Sequence, residues 1–416
     1  MTRLLVDSVA FGGEGVGRQD RLVHFIPFTL PGEEVEIEIQ QKKKQFIRAR
    51  LLKVLKEHPQ RVPPPCPYFF TCGGCQLQHA SYAYQLEIKR SFLQDAFLRI
   101  GKIPLSIPPV IPSTRIFDYR QHITLQLLLV DDRWQLCFSS LDHQPLAIQT
   151  CLLFLELKDP FLANLQQALS SLSPILSFQG RLRILKGEQG YIGAFVPSLP
   201  FSPEEEHSLY QSLSPFFVDI FFYQSHQPLQ PRLTLSYQGL HIHYSPFAFL
   251  QNHQEQSSAI YNSLPDLFQG CHTLLDLYCG VGISSLILAQ KGHLVVGVEI
   301  NQDSLSCARD NAGHNGYSIE FHLASAEAST KDLLQKVNPD GILVNPPKEG
   351  LSPLVRESLL APSVQTMVYI SCHPATLARD CHFFTTQGWV IDYVQGYDMF
   401  PQTTHLETVV KLVRKK

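Results

Sequence analysis

A chain of 416 residues with 44% hydrophobic side chains is long enough for two or three domains, each with its own apolar core. Its net charge of −3 and isoelectric point near 6.6 exclude a uniformly basic nucleic-acid binder, so any RNA contact has to come from local patches. No apolar stretch reaches the roughly 18 residues that span a bilayer, and the start MTRLLVDSVAFGGEG lacks an export signal, so a cytoplasmic protein with no membrane partner is expected.

Residues 1–58 read as a small β module. The runs VHFIP, EEVEIEIQ and FIRARLLKV suit strands, while glycines at 12, 13, 15 and 17 and the pair Pro31-Gly32 supply turns. Short strands without a helix predict a barrel of OB type. Residues 1–61 hold 11 Lys or Arg against 8 Asp or Glu, with Lys42, Lys43 and Lys44 at a hairpin and Arg48 and Arg50 on the following strand. Either a solvated hairpin tip or a phosphate-contacting patch accounts for that run.

The proline-rich HPQRVPPPCP ends this module and opens a central region, 59–244. It begins with Cys66, Cys72 and Cys75 in CPYFFTCGGCQLQH, where Gly73 and Gly74 bend the backbone so that thiolates can converge on one centre. Zinc competes for Cys-x2-Cys, but it usually takes a second close pair, and none follows. The single distant candidates are Cys137 and Cys151; three cysteines plus Cys151 favour an iron–sulfur cluster. Cysteines clustered here and otherwise scattered suit a reducing compartment better than a disulfide framework. Ser81 to Ile100 predicts a helix capped by Ser81, with Tyr82, Leu86, Leu93 and Phe97 on one face and Gly101 at its end. From about 115 to 240, HITLQLLLV, RLRILKG, YIGAFVP and LTLSYQGL predict a mostly β central domain.

From 245 to 416 a loop enters a helix, and the pattern then becomes strand, glycine turn, helix, repeated. TLLDLYCGVG is a strand running into a Gly280-Val281-Gly282 turn, and HLVVGVEI closes on Glu299, 19 residues beyond Gly280. Glycines let a backbone approach a ligand, and a carboxylate at the second strand's end can take hydrogen bonds from ribose hydroxyls. The third glycine of a pyrophosphate fingerprint is missing, so S-adenosylmethionine fits better than NAD. GILVNPPKEGL ends in Asn345-Pro346-Pro347, whose prolines fix the backbone at the ligand edge. An amino-methylating enzyme with an Asn-Pro-Pro-aromatic loop is the competing reading, but Lys348 stands where that loop needs a ring.

VYISCHPATLARD delivers Cys372 to the loop after a buried strand, and Glu407 follows in DMFPQTTHLE. Taken alone, Cys372 is equally a small buried hydrophobe and Glu407 an exposed strand-end charge.

Taken together, these segments resemble the RNA uracil-C5 methyltransferase family along nearly the whole chain. The matching features are GGEGVGR and FIPFTLPGE of a TRAM-like start, the cysteines 66, 72, 75 and 151, FLQ at 249–251, DLYCGVG, EIN at 299–301, PPKEGL, ISCHPATLARD and DMFPQTTHLE. The resemblance implies an α/β Rossmann-like S-adenosylmethionine-dependent methyltransferase domain behind an OB-like barrel and a mostly β central domain. It also implies a four-iron cluster on Cys66, Cys72, Cys75 and Cys151, cofactor contacts by Gln251, Tyr278, Glu299 and Asn345, a nucleophile at Cys372 and a base at Glu407. The TRAM-like and cysteine segments resemble the branch acting on rRNA rather than tRNA, and a monomer is expected. Three positions depart from the family's pattern: Ile283 and His373 stand where Asn is common, and Asn345 where Asp is usual. They motivate an alternative, an RNA-binding paralogue with weak or no catalysis.

Overall fold

The computed structural model describes residues 2–130, 133–154, 161–172, 179–187, 190–223 and 233–415. β1 (Thr2–Val9), β2 (Glu14–Gln19), β3 (Leu22–Pro27), β4 (Glu34–Lys42) and β5 (Phe46–Lys56) form a closed barrel in the order β1-β2-β3-β5-β4. Leu4, Val6, Ile26, Val35, Ile37 and Ile47 fill it. The expected barrel is therefore present, but the glycine-rich stretch is only partly a turn, since Gly15 and Gly17 lie inside β2. A Cβ on Gly17 would meet Leu5 O at 2.6 Å, and one on Gly15 would collide with Thr29 Oγ1. Close packing, not a bend, fixes those two glycines.

α1 (Tyr82–Asp95) is capped by Ser81, as expected, and runs into a π-helical turn, Ala96–Ile100. Its buried face differs from the expected one: Gln85 and Lys89 are buried with Ile88, Phe92 and Leu93. The reason lies in partners distant in sequence, Gln402 and Asp398. α1 packs into the same core as the C-terminal sheet, with Leu93 and Phe97 beside Leu377 and Leu406.

β6 (His122–Val130), β7 (Arg133–Ser139), β8 (Pro145–Ala147), β9 (Gly180–Gly187), β10 (Gly190–Pro197) and β11 (Asp219–Phe222) make a sheet in the order β11-β10-β9-β6-β7-β8. α2 (Phe161–Ser171) and α3 (Pro203–Leu213) bury Leu165 and Leu209 in the same core as Leu125 and Ile184 of this sheet. β12 (Leu233–Tyr237) and β13 (Leu240–Tyr244) form a hairpin whose apolar residues join the C-terminal core.

The C-terminal part is doubly wound. α4 (Gln254–Leu267) leads to β14 (Thr273–Leu277), α5 (Ile283–Gln290), β15 (Leu294–Glu299), α6 (Gln302–His314), β16 (Glu320–Leu323), α7 (Ala326–Val337), β17 (Gly341–Val344), α8 (Pro353–Ser358), β18 (Thr366–Ser371), α9 (Pro374–Thr386), β19 (Trp389–Tyr397) and β20 (Glu407–Arg414). The strand order is β16-β15-β14-β17-β18-β20-β19, with β14 to β18 parallel and β20 antiparallel between β18 and β19. The chain leaves β14 toward β15 and later returns to its other side as β17, so a ligand crevice opens beyond the carboxyl end of β14. Among the described residues, no helix is long and apolar enough to cross a membrane.

Candidate active site

β14 ends in a turn built around a left-handed backbone. Tyr278, Gly280 and Gly282 have φ of 66°, 58° and 85°. A non-glycine residue in that region stores strain, which tends to persist where surroundings hold a ligand-facing loop in one shape. Here the holding group is Glu299: its Oε2 accepts from Gly280 N at 3.0 Å and its Oε1 from Asn301 N at 2.8 Å. A carboxylate offers about four acceptor sites. The remaining lone pairs are free in chemical terms for ribose hydroxyls.

The turn is also tied down from beneath by a carboxylate inside β14. Asp276 is buried and accepts from Ser284 Oγ at 2.7 Å and Ser285 Oγ at 2.6 Å, locking the first turn of α5 to β14. Burial pushes its carboxyl up to about 6. Ile283, one of the departures, is simply a buried core residue of α5. Asn345 follows β17 beside this turn, its N–H donating to Leu277 O at 3.4 Å. Gln251 is buried ahead of α4.

The third loop of the edge carries Cys372. β18 runs antiparallel to β20 with Ser371 opposite Thr408, and one further step along that register sets Cys372 across from Glu407. Glu407 is 2% exposed. Burial alone pushes its carboxyl up to about 8. The Cys372 thiol is pushed up to about 11, first by burial and then by the Glu407 charge, while Lys348 pulls the other way. His373 caps α9, its Nδ1 accepting from Thr376 N at 3.3 Å, and burial, with Lys348 nearby, lowers its imidazole below the usual histidine value. Phe11, from the barrel's β1–β2 loop, sets its ring edge-on to His373 at 5.2 Å and to His405 at 5.8 Å.

The motifs PPKEGL and ATLARD turn out to be one assembly. Thr376 Oγ1 donates to Lys348 O, Arg379 to Glu349 O, and Asp380 accepts from Leu351 N, Tyr369 Oη and Arg356. One buried carboxylate thus holds the loop carrying Lys348 against the helix that follows Cys372.

The four expected cysteines lie elsewhere, spread around one shared cavity. Cys66, Cys72, Cys75 and Cys151 all line one cavity of about 1120 Å³ between the barrel and the central sheet. Burial pushes the Cys75 thiol up to about 12, and burial likewise raises Cys72 and Cys151; neighbouring thiols add to this, Cys66 on Cys72, Cys151 and Cys72 on Cys75, and Cys72 and Cys66 on Cys151. Arg120 faces Cys75 and Cys151, and its buried Nε has no acceptor. A cation with an open N–H beside the thiols of Cys72, Cys75 and Cys151 suits a group that carries thiolate charge. Among the described residues, no three His, Cys, Asp or Glu converge closely enough to hold a single metal ion.

Comparison with known proteins decides the family. The chain is 37% identical to an uncharacterized RNA methyltransferase of Protochlamydia amoebophila, over 98% of this chain and 96% of that protein. A second such protein, from Listeria monocytogenes, is 30% identical over 98% and 96%. Family models for tRNA (Uracil-5-)-methyltransferase and for the TRAM domain match residues 229–415 and 2–52. The chain belongs to the RNA uracil-C5 methyltransferase family. A solved RNA uracil-C5 methyltransferase, the Pyrococcus abyssi tRNA (uracil-54, C5)-methyltransferase in complex with S-adenosyl-L-homocysteine, is 25% identical, with a TM-score of 0.76 over 99% of this chain and 100% of that one. Like other members of the RNA uracil-C5 methyltransferase family, the protein is an S-adenosylmethionine-dependent RNA (uracil-5-)-methyltransferase, its barrel is a TRAM domain, and the paralogue reading without catalysis gives way.

Proposed function

We propose that Cys372 is the nucleophile and Glu407 the base of this reaction. Uracil C5 is too weak a nucleophile to attack a sulfonium methyl group unaided. Cys372 Sγ adds to C6, the C5–C6 π electrons pass into an enolate at O4, and C5 then takes the methyl group while the sulfonium departs as a neutral thioether. Glu407 removes the C5 proton, the C5–C6 double bond reforms, and the thiolate leaves. With its thiol pushed up to about 11, Cys372 is mostly a thiol at neutral pH and attacks from the small thiolate fraction, its proton having passed to solvent. The single observation carrying this reading is the opposition of Cys372 and Glu407 one register step beyond Ser371 and Thr408. The target uridine has to leave its stack to lie between them.

Gln251, Tyr278, Glu299 and Asn345 are proposed to hold S-adenosylmethionine, with Glu299 on the ribose and Tyr278 shaping the turn. The support is Glu299's hold on Gly280 N and the strained φ at Tyr278. Cys66, Cys72, Cys75 and Cys151 are proposed to hold a [4Fe-4S] cluster, supported by their common cavity and the unpaired Arg120 Nε. When bound, such a cluster would cross-link residues 66–75 to Cys151. Domains at 1–58, 59–244 and 245–416, a monomer and a cytoplasmic site of action complete the proposal.

The proposed substrate is rRNA, on the likeness of the TRAM and cysteine segments to that branch. A tRNA substrate is the second reading, favoured by the tRNA family model and the Pyrococcus abyssi likeness. Labelled methyl donor with unmodified rRNA and tRNA transcripts separates the two, and methylation surviving Cys372→Ala would overturn the nucleophile. For the cluster, anaerobically purified protein should carry iron and sulfide with visible absorption lost in Cys72→Ser; stoichiometric zinc without iron would refute it.

A further inference from the structure

The loop between β19 and β20 is polar in sequence yet buried. Asp398, Gln402, Thr403 and Thr404 are each no more than 3% exposed. At its middle, Gln402 has φ of 70°, a conformation that a side chain other than glycine rarely adopts. Something has to hold it there.

What holds it comes from residues 76–119, not from the sheet that bears the loop. Gln402 N donates to Gln85 Oε1 at 3.1 Å, and Gln85 Nε2 donates back to Gln402 Oε1 at 2.9 Å. Gln402 O accepts from Gln76 N at 3.1 Å and Leu77 N at 3.0 Å, directly after Cys75. Gln402 Nε2 donates to Ile116 O at 3.4 Å. The flanking residues are gripped from the same side: Lys89 Nζ donates to Phe400 O at 2.9 Å, Tyr119 Oη to Pro401 O at 3.1 Å, and Thr404 N to Gln76 Oε1 at 3.4 Å. Every hydrogen-bonding group of Gln402 is used, and the chain then reaches Glu407 in five residues.

We infer that Gln402 is a positioning residue for Glu407, a knot through which α1 and the cysteine segment fix the approach of the carboxylate to uracil C5. The inference rests on Glu407 being the base. Proton removal comes after methyl transfer, so a misplaced Glu407 leaves Cys372 addition and methyl transfer intact and slows only the last step. A displacement of about an ångström at a reacting group costs on the order of a hundredfold in that step.

The test uses Gln402→Gly, which accepts the left-handed backbone and deletes the amide. With full-length protein, labelled methyl donor and uridine-containing RNA, methyl-labelled RNA covalently bound to protein should accumulate on a denaturing gel. Turnover should fall at least tenfold with kcat/KM for RNA and for S-adenosylmethionine unchanged, so that both KM values fall along with kcat. Gln402→Asn, whose side chain tolerates left-handed backbone and keeps an amide, should restore much of the turnover. Gln85→Leu, which cuts the knot from the α1 side, should reproduce the trapped adduct. Glu407→Gln run in parallel distinguishes the two ideas. If it traps the adduct and neither Gln402→Gly nor Gln85→Leu does, the positioning role is wrong; if Glu407→Gln traps nothing, the base assignment itself has failed. Should both variants be insoluble, hydrogen exchange of the wild-type protein decides: amides of Gln76, Leu77 and Gln402 exchanging at the rate of exposed loops would overturn the knot, and strong protection would support it.

Discussion

Cys372 and Glu407 flank Ser371 and Thr408, the last pair of the β18–β20 ladder, close enough for the Glu407 charge to act on the Cys372 thiol, and burial pushes the thiol up to about 11 and the carboxyl up to about 8. Each group therefore has to give its proton to solvent before it acts. The kcat/KM value, which reports the free enzyme up to irreversible methyl transfer, should rise about tenfold per pH unit between pH 7 and 9, because the thiolate fraction grows toward about 11. Decay of the methylated adduct should instead rise through about pH 8 and level off, following Glu407. Rapid-quench kinetics across that range measures both, and a flat kcat/KM profile would contradict the thiol reading. The same group acts on stability. Glu407 in the folded chain keeps a proton that the unfolded chain releases above its ordinary value of 4.5, so its contribution is full below that value and lost as pH rises through about 8. Glu407→Gln should flatten that part of the stability profile.

Cys372→Ala should abolish methylation and leave S-adenosylmethionine affinity within about twofold, since the proposed cofactor contacts, Gln251, Tyr278, Glu299 and Asn345, lie on other segments than the β18–α9 loop and additivity holds for separate sites. With a 5-fluorouridine RNA the wild type should form a stable protein–RNA adduct, because fluorine cannot leave C5 as a proton does. Adduct formation by Cys372→Ala would assign the nucleophile to another residue.

The sequence made the C-terminal sheet legible because β14, β15, β17 and β18 are buried along most of their length and read as apolar runs that break off at the ligand edge. Gly280, Glu299 and Cys372 all fall at such ends. It concealed whatever depends on distant partners. Gln85 and Lys89 look like the wet side of α1, and only Gln402 and Asp398, more than 300 residues away, make them buried. Gly15 and Gly17 look like turn residues, and only the approach of Thr29 and Leu5 shows them to be strand glycines. Likewise the tie between Lys348 and Thr376 joins two motifs whose sequence separation hides their contact.

Gly280 offers a clean separation of folding from binding. Its φ is 58°, and an added Cβ would meet no protein atom within 4 Å, so the methyl group of Gly280→Ala would project into open space at the crevice. The backbone cost is about 1 kcal/mol, the usual difference between Ala and Gly in left-handed conformation. Melting should therefore move by only a few degrees. Forcing a methyl against a bound ligand costs about 1–3 kcal/mol, so S-adenosylmethionine affinity should fall on the order of tenfold. Calorimetric titration checks the affinity; unchanged binding would place the cofactor away from this turn.

Lys89 and Asp398 form an ion pair with both side chains fully buried, 2.5 Å apart, and Lys89 also donates to Phe400 O. Removing both charges from water is costly, and their mutual attraction only roughly offsets it, so the pair adds little net stability while demanding that both members be present. Lys89→Met preserves most of the side-chain volume and leaves Asp398 buried without a counter-charge. It should destabilise the protein by about 3–5 kcal/mol, whereas Lys89→Met combined with Asp398→Leu should recover most of the loss. The recovery separates a charge effect from a packing effect, since a pure packing defect would grow with the second substitution. Denaturant unfolding of the three variants measures it. Because Lys89 also grips the loop leading to Glu407, the double variant should regain stability yet keep a turnover defect, and full recovery of both would mean that the grip on Phe400 O is dispensable for the base.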